Sequence, residues 1–127
     1  MKNNLHIKHL SDIECVTTSH GCGEKRVLIG KDKTDTDITQ IAVTRLEAGE
    51  CVDEHTHRTM EEMFLILSGS VEFTSDGEKT VCVKDDFIHI EVGIPHGLRA
   101  LADTTLLTIG CAVKEKDKKT ILQLNYK

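Results

Sequence analysis

Between residues 38 and 113 the chain alternates short apolar segments with turn signals, and no stretch there has the periodicity of a long amphipathic helix. The segments are rich in Val, Ile, Leu, Phe and Thr, which are the residue types that favour strands. They occupy residues 38–46, 63–67, 71–74, 80–83, 87–92, 96–101 and 105–113. Asp76 and Gly77, between two of these segments, form a typical hairpin turn. This pattern predicts an all-β domain, either an antiparallel sandwich or a barrel.

The regions that flank these segments have weaker patterns. We expect residues 1–37 to form an N-terminal arm with strands, including an edge strand within 5–16 and a single helical turn at 11–14 that is capped by Ser11. We expect residues 114–127 to form a C-terminal segment, with a charged link at 114–119 before an edge strand at 120–124. The 127-residue chain has no linker rich in Pro, Gly or Ser. We therefore predict one domain over residues 1–127, with a barrel core at about 38–113.

Charge and composition narrow the classes of partner. The 16 Lys and Arg against 21 Asp and Glu give a net charge of −5, and only four residues are Phe or Tyr. A nucleic-acid partner is therefore not expected, because phosphate neutralisation and base stacking need basic and aromatic surfaces. No run reaches the roughly 18 apolar residues of a membrane span, and the N-terminus lacks the apolar stretch of a secretory signal. These features predict a cytoplasmic protein without a membrane partner. The five cysteines form no C-x-x-C pair, which argues against a disulfide framework or a thiolate zinc site.

The seven histidines are the unusual feature of the composition, because histidine is the commonest metal ligand. His55 and His57 stand two residues apart, so on a strand they would project from the same face with Cα atoms about 6.6 Å apart. A carboxylate at Glu61 or Glu62 opens the next segment, and His96 begins another one after a turn. Three imidazoles and a carboxylate suit Fe, Mn, Ni, Co, Cu or Zn and contain too much nitrogen for Mg or Ca.

The stretch that contains His55, His57 and Glu62 resembles a motif of the cupin superfamily, G-x5-H-x-H-x3–4-E-x6-G. The motif is matched without exception by Gly49, His55, His57, Glu62 and Gly69. The spacing back from Gly69 selects Glu62 over Glu61 as the acidic member of the motif.

The second cupin motif, G-x5-P-x-G-x2-H-x3-N, is matched in register but incompletely. Its second glycine and its histidine are present as Gly93 and His96. The first glycine, the proline and the asparagine are replaced by Asp85, Glu91 and Ala100. The replacements fall at turns and strand ends, so they bear on loop geometry more than on metal binding.

The resemblance implies a small antiparallel jelly-roll β-barrel, the double-stranded β-helix of RmlC-like cupins. It implies that one divalent transition metal (Fe, Mn, Ni, Zn, Co or Cu) is held inside the barrel mouth. The implied ligands are His55, His57, Glu62 and His96. Cupins that resemble this chain are commonly homodimers, often with exchanged N-terminal strands. Some cupins bind no metal, but these usually lack a ligand, and this sequence keeps all four.

Other residues have both a functional and a structural interpretation. His89 alternates with Ile88 and Ile90, so it is a candidate acid or base inside the barrel or else a histidine at the surface. Glu61 is a second acid/base candidate or a solvent-facing neighbour of the ligand. Arg45 and Arg99 are candidates for binding an anionic substrate, although solvated strand positions are more common for arginine. The remaining histidines are assigned structural or surface roles; they are His6, His9 and His20.

Two classes of function fit these residues. The first is a metalloenzyme that acts on a small organic metabolite, either as a dioxygenase or as an isomerase or lyase. The second is a non-catalytic cupin module that binds a metabolite or a metal. The scarcity of aromatic residues argues against a pocket that stacks on a flavonoid or a sugar ring.

Overall fold

The computed structural model describes residues 4–113, which form ten strands and one short 3-10 turn at Leu10–Asp12. The strands are β1 (Cys15–Thr17), β2 (Glu24–Gly30), β3 (Ile38–Leu46), β4 (Cys51–His55), β5 (Met60–Ser68), β6 (Ser70–Ser75), β7 (Glu78–Val83), β8 (Phe87–Ile90), β9 (His96–Ala100) and β10 (Thr104–Ala112). Within these residues, no helix is long and apolar enough to span a membrane.

The ten strands form two sheets in which every pairing is antiparallel. The six-stranded sheet has the order β1-β2-β3-β10-β5-β8, and the four-stranded sheet has the order β4-β9-β6-β7. From β3 onward the chain passes repeatedly from one sheet to the other, as a jelly roll does. The predicted all-β, antiparallel jelly-roll barrel is therefore confirmed.

The core lies between the two sheets and is built from alternate residues of facing strands. Phe64 and Ile66 of β5 point inward from the six-stranded sheet, while Val71 and Phe73 of β6 point inward from the four-stranded sheet. The rings of Phe64 and Phe73 are tilted against each other with centroids 5.7 Å apart. Because Glu62 precedes Phe64 by two residues on β5, the same alternation directs its carboxylate into the space between the sheets.

All seven predicted segments contain strands, with small differences at their ends. The sequence pattern does not single out β2, because this strand begins with the three charged residues Glu24, Lys25 and Arg26 and has a short apolar run. The N-cap at the first turn is also corrected, because His9 occupies that position and its side chain accepts a hydrogen bond from the Ser11 amide at 3.3 Å. The predicted link at 114–119 and edge strand at 120–124 lie outside the described residues.

Candidate metal centre

Three histidines and a glutamate meet between the two sheets, and we call this group the His/Glu cluster. It consists of His55, His57, Glu62 and His96. His55 ends β4, and His96, its register partner, begins β9. Glu62 reaches the same point from β5 of the opposite sheet. One ligand atom from each side chain lies within 4.8 Å of the others.

His57 lies beyond the end of β4, so the pair of histidines does not share a strand as the spacing had indicated. The amide of Gly93 donates a hydrogen bond to the His57 carbonyl at 2.8 Å and ties this loop to the turn before β9. The imidazole rings of His55 and His57 still converge, with centroids 4.8 Å apart.

Hydrogen bonds orient two of the histidines through their Nδ1 atoms. Nδ1 of His55 donates to the Asp53 carbonyl at 2.8 Å, and Nδ1 of His96 donates to the Ile94 carbonyl at 2.9 Å. In a neutral imidazole, a proton on Nδ1 leaves a lone pair on Nε2, and this arrangement is common for histidines that bind metals. Both Nε2 atoms are therefore prepared to accept a cation.

The Nε2 atoms show that the His/Glu cluster suits a cation. Nε2 of His57 and Nε2 of His96 lie 2.9 and 3.0 Å from the same carboxylate oxygen, Oε1 of Glu62. Nε2 of His55 is buried and has no hydrogen-bond partner within residues 4–113. A buried polar atom without a partner is costly, and a divalent ion would satisfy all four side chains at once. The donor set is that of a transition metal.

The charges in the His/Glu cluster are strongly coupled. Burial raises the pKa of Glu62, but the hydrogen bond from His96 and the positive charges of His57 and His96 outweigh it and hold that pKa below its ordinary value. Burial lowers the pKa of His96, but its hydrogen bond to Glu62 outweighs this effect and raises that pKa. The site therefore favours a positive charge beside the Glu62 carboxylate, and a metal ion can replace the proton in that role.

A β-bulge in β4 directs His55 into the His/Glu cluster. The register pairs Val52 with Leu98 and His55 with His96, so three residue steps on β4 face two on β9. Without this extra residue, strand alternation would point His55 and Val52 to opposite faces. Gly97 lies against the bulge, and a Cβ there would come within 2.9 Å of the Val52 carbonyl oxygen. The missing side chain of Gly97 is what leaves room for the bulge.

The departure from the second cupin motif at Asp85 leaves the turn intact. Asp85 has a φ of +75°, the left-handed conformation that glycine adopts at little cost. Its amide donates a hydrogen bond to the Ile66 carbonyl at 2.8 Å. Aspartate is among the non-glycine residues that tolerate this region best, so it can stand where the motif has glycine.

The His/Glu cluster borders a cavity of about 100 Å³ between the sheets. Its apolar wall includes Leu46, Phe64, Leu98 and Leu106. His20, which was assigned a structural or surface role, stands in this wall with its ring centroid 4.7 Å from that of His55. Burial and the nearby His55 lower the pKa of His20.

Two polar residues of the cavity wall were not singled out by the sequence. Lys25 of β2 and Gln40 of β3 both line the cavity, and the Lys25 ammonium donates a hydrogen bond to the Gln40 side-chain oxygen at 2.7 Å. Lys25 could have been identified because it lies opposite an inward-facing residue of β3. This inference requires that β2 is recognised as a strand first.

The four remaining candidates lie on outer faces of the sheets. Ile90 is buried, so its neighbour His89 points outward, and Nε2 of His89 hydrogen-bonds to Oε1 of Glu61 at 2.6 Å. This placement agrees with the surface alternative for His89 and not with the one inside the barrel. Arg45 and Arg99 are exposed next to the buried Leu46 and Leu98. The structure therefore brings none of these four candidates, His89, Glu61, Arg45 and Arg99, to the His/Glu cluster.

Comparison with known sequences identifies the family. The sequence profile of the family described as "Cupin domain" matches residues 42–110, which is more than half of the chain. This chain belongs to the cupin family, as its two motifs indicated.

A curated relative and several solved structures are similar to the chain. The quercetin 2,3-dioxygenase of Bacillus subtilis (strain 168) is 31% identical over 71 residues, which are 56% of this chain and only 21% of that protein. A predicted oxalate decarboxylase from Thermotoga maritima superposes with a TM-score of 0.76 at 21% identity, covering 85% of this chain and 100% of that one. An RmlC-like cupin from Shewanella frigidimarina superposes with a TM-score of 0.71 at 16% identity, covering 91% and 98%. These structural likenesses show the fold.

Proposed function

We propose that this chain is a metal-dependent enzyme that acts on a small organic metabolite, with the His/Glu cluster as its metal site. The observation that carries the proposal is the convergence of four ligand atoms within 4.8 Å at the edge of a cavity. The unpartnered Nε2 of His55 supports the same assignment. Fe, Mn, Ni, Co, Cu and Zn all fit three imidazoles and one carboxylate.

A bound divalent ion would supply Lewis-acid or oxygen-activating chemistry to a small substrate. The chain itself contributes orientation and exclusion of water. The carbonyls of Asp53 and Ile94 fix the ring planes of His55 and His96, and the Glu62 carboxylate holds negative charge at the site. Phe64 and Leu106 form part of an apolar wall, and low polarity strengthens electrostatic interactions inside the cavity.

The reaction type is proposed to be that of a dioxygenase or of an isomerase or lyase. The dioxygenase relative favours oxygen chemistry. Among residues 4–113, Phe64 is the one Phe, Tyr or Trp in the wall, and the cavity is small, so we propose a substrate smaller than a flavonol.

The proposal is tested in two steps. The purified protein is first analysed for metal content, together with His57→Ala; we expect one metal per chain in the wild type and a large loss in the variant. The protein is then reconstituted anaerobically with Fe(II), and separately with Mn(II), Ni(II) or Zn(II), and oxygen uptake and substrate loss are followed with small organic acids and dicarbonyl compounds. Unchanged metal in His57→Ala would refute the site.

The second candidate function is a non-catalytic module that binds a metabolite or a metal. The small, mostly apolar wall of the cavity favours it, since pockets of this type bind without necessarily reacting. Stoichiometric metal and tight binding of a small acid, without turnover under any of the metals above, would support the binding module and contradict the enzyme.

We also propose that two copies of the chain form a homodimer. Several apolar side chains are exposed on β7 and β8, with Val81 56%, Val83 50% and Phe87 60% accessible. In the N-terminal arm, Leu5 and Ile7 are also largely exposed. Light scattering after gel filtration should give twice the 14.1 kDa of one chain, and Phe87→Lys should lower the mass towards that of the monomer. A wild-type mass of one chain at micromolar concentration would refute the dimer.

We further propose that the protein works in a reducing compartment such as the cytoplasm. All five cysteines are free, as reducing compartments keep them. Burial raises the pKa of Cys22 and of Cys82, which keeps these two thiols protonated and slow to react. Thiol titration of the denatured protein, taken from a cytosolic fraction without reductant, should count five thiols; a lower count would contradict the proposal.

A further inference from the structure

Lys25 is placed to meet one end of a ligand whose other end reaches the His/Glu cluster. Its side chain and those of His55, Glu62 and His96 line the same cavity. The register pairs Lys25 with Thr44 on β3, and the hydrogen bond to Gln40 shows that its side chain runs back along β3 from that position.

The register places Gln40 and Glu62 in one row across the six-stranded sheet. Gln40 pairs with Gly110 of β10, and Gly110 pairs with Glu62 of β5. Two strand spacings therefore separate Gln40 from Glu62, a Cα distance of about 10 Å. By reaching Gln40, the Lys25 ammonium comes to the row of the six-stranded sheet that holds Glu62 of the His/Glu cluster.

Lys25 is half-buried, and no carboxylate of the described residues pairs with its ammonium. Within residues 4–113, no carboxylate lies at ion-pair distance from it, and Gln40 supplies a neutral acceptor. An ammonium has three donors, of which this contact uses one. A charge withdrawn from water without an opposite charge is unfavourable, so the site calls for an anionic partner.

The charges around the cavity also favour an anionic ligand. Among residues 4–113, Lys25 and Glu62 are the two side chains in its wall that belong to Lys, Arg, Asp or Glu. With a divalent cation in place, the single charges of Lys25 and Glu62 cancel, and the remaining charge is that of the ion, +2. A dianion would neutralise this charge. The hydroxyls of Thr44 and Thr108, which lie 3.1 Å apart, add hydrogen-bonding groups to the same wall.

We infer that the substrate is a small organic dianion, such as a dicarboxylic or oxo-dicarboxylic acid, that binds the metal with one end and the Lys25 ammonium with the other. Gln40 positions the ammonium through its side-chain oxygen. This inference rests on the proposed function, because it needs a metal at the His/Glu cluster.

The test uses the protein loaded with Co(II) and four dicarboxylates of increasing length, oxalate, malonate, succinate and glutarate, with acetate as the singly charged comparison. Binding is measured by calorimetry and by the visible spectrum of Co(II). We expect the best dicarboxylate to bind more tightly than acetate. Lys25→Met should weaken that dicarboxylate at least ten-fold and change acetate binding less than two-fold, while Lys25→Arg retains most of the affinity.

Two further variants complete the test. Lys79→Met removes an exposed lysine from β7 and should behave as the wild type. Gln40→Leu removes the partner that positions the ammonium and should weaken the same dicarboxylate, which keeps the test decisive if Lys25→Met does not fold. If Co(II) binds but Lys25→Met and Gln40→Leu leave dicarboxylate binding unchanged, or weaken acetate equally, this inference is overturned and the proposed function stands. If Co(II) does not bind, both are overturned.

Discussion

Gly97 packs its backbone against that of Glu54, and a Cβ on Gly97 would lie 3.0 Å from the Glu54 nitrogen and 3.1 Å from its Cα. These neighbours are backbone atoms of the bulged strand β4 and cannot rotate away. Because Gly97 has no side chain, the backbone of β4 can bulge beside it, and the bulge sets the direction in which His55 points.

Gly97→Ala should cost about 1–3 kcal/mol of the free energy of unfolding, because a methyl group is forced against backbone. It should also lower metal affinity, because the bulge and the position of His55 shift. Chemical denaturation and metal titration measure the two effects. Gly30→Ala is the matched control, since a Cβ there meets only a Val27 methyl at 3.8 Å, and its metal affinity should be unchanged. Equal affinity in both variants would contradict the role of Gly97.

Glu62→Gln should weaken metal binding more than about 100-fold, which exceeds the usual loss from removing a residue that only orients a ligand. The amide removes the negative charge that now faces both His57 and His96 at 2.9 and 3.0 Å. Glu61→Gln changes the neighbouring residue on the outer face of β5, where its partner is His89. A competition titration with a coloured chelator should show near-normal affinity for Glu61→Gln. If Glu61→Gln weakened metal binding more than Glu62→Gln, the inward position of Glu62 would be refuted.

In the metal-free protein, the pair of Glu62 and His96 should stabilise the fold over a limited pH range. The pKa of Glu62 is held below its ordinary 4.5, so its contribution is present above pH 4.5 and is lost as pH falls through the folded-state pKa. The pKa of His96 is raised above its ordinary 6.5, so its contribution is present below pH 6.5 and is lost as pH rises through the folded-state pKa.

The difference in Tm between the wild type and Glu62→Gln, measured in a chelator, should therefore be largest between about pH 4.5 and 6.5. It should shrink at lower and at higher pH. A difference that stays constant from pH 3 to pH 9 would show that the carboxylate and the imidazole do not act as a charged pair.

Asp85→Gly should raise the free energy of unfolding by about 0.5–1 kcal/mol, because it relieves a left-handed conformation at φ +75° that costs a residue with a Cβ. Asp35→Gly is the control, since Asp35 is exposed and its φ is not positive. There the added freedom of the unfolded chain should lower stability. Urea unfolding of both variants tests this, and destabilisation by Asp85→Gly would mean that the carboxylate has a role of its own in the turn.

Much of the fold could be predicted from the sequence, because alternation of apolar residues is a local signal. β3 was predicted with its observed bounds, Ile38–Leu46. β2 was not predicted because it begins with charged residues. The inward position of Lys25 on this strand was missed for the same reason. Whether Lys25 faces a cavity depends on its pairing with Thr44, a contact between strands that no local pattern encodes.

The four members of the His/Glu cluster were identified by motif spacing, and the structure brings them together. The bulge that turns His55 inward was not predictable, because it depends on the missing side chain of Gly97 on another strand. His89 shows the opposite case: its alternation with Ile88 and Ile90 was clear, but which face is buried is decided by the pairing of β8 with β5.

Glu62 belongs to one sheet, while His55 and His96 belong to the other. An ion bound by all of them would cross-link the two sheets of the jelly roll and fix the distance between them. If the two sheets separate transiently, the ligands move apart, so the dissociation rate of the metal would report how often the sheets separate.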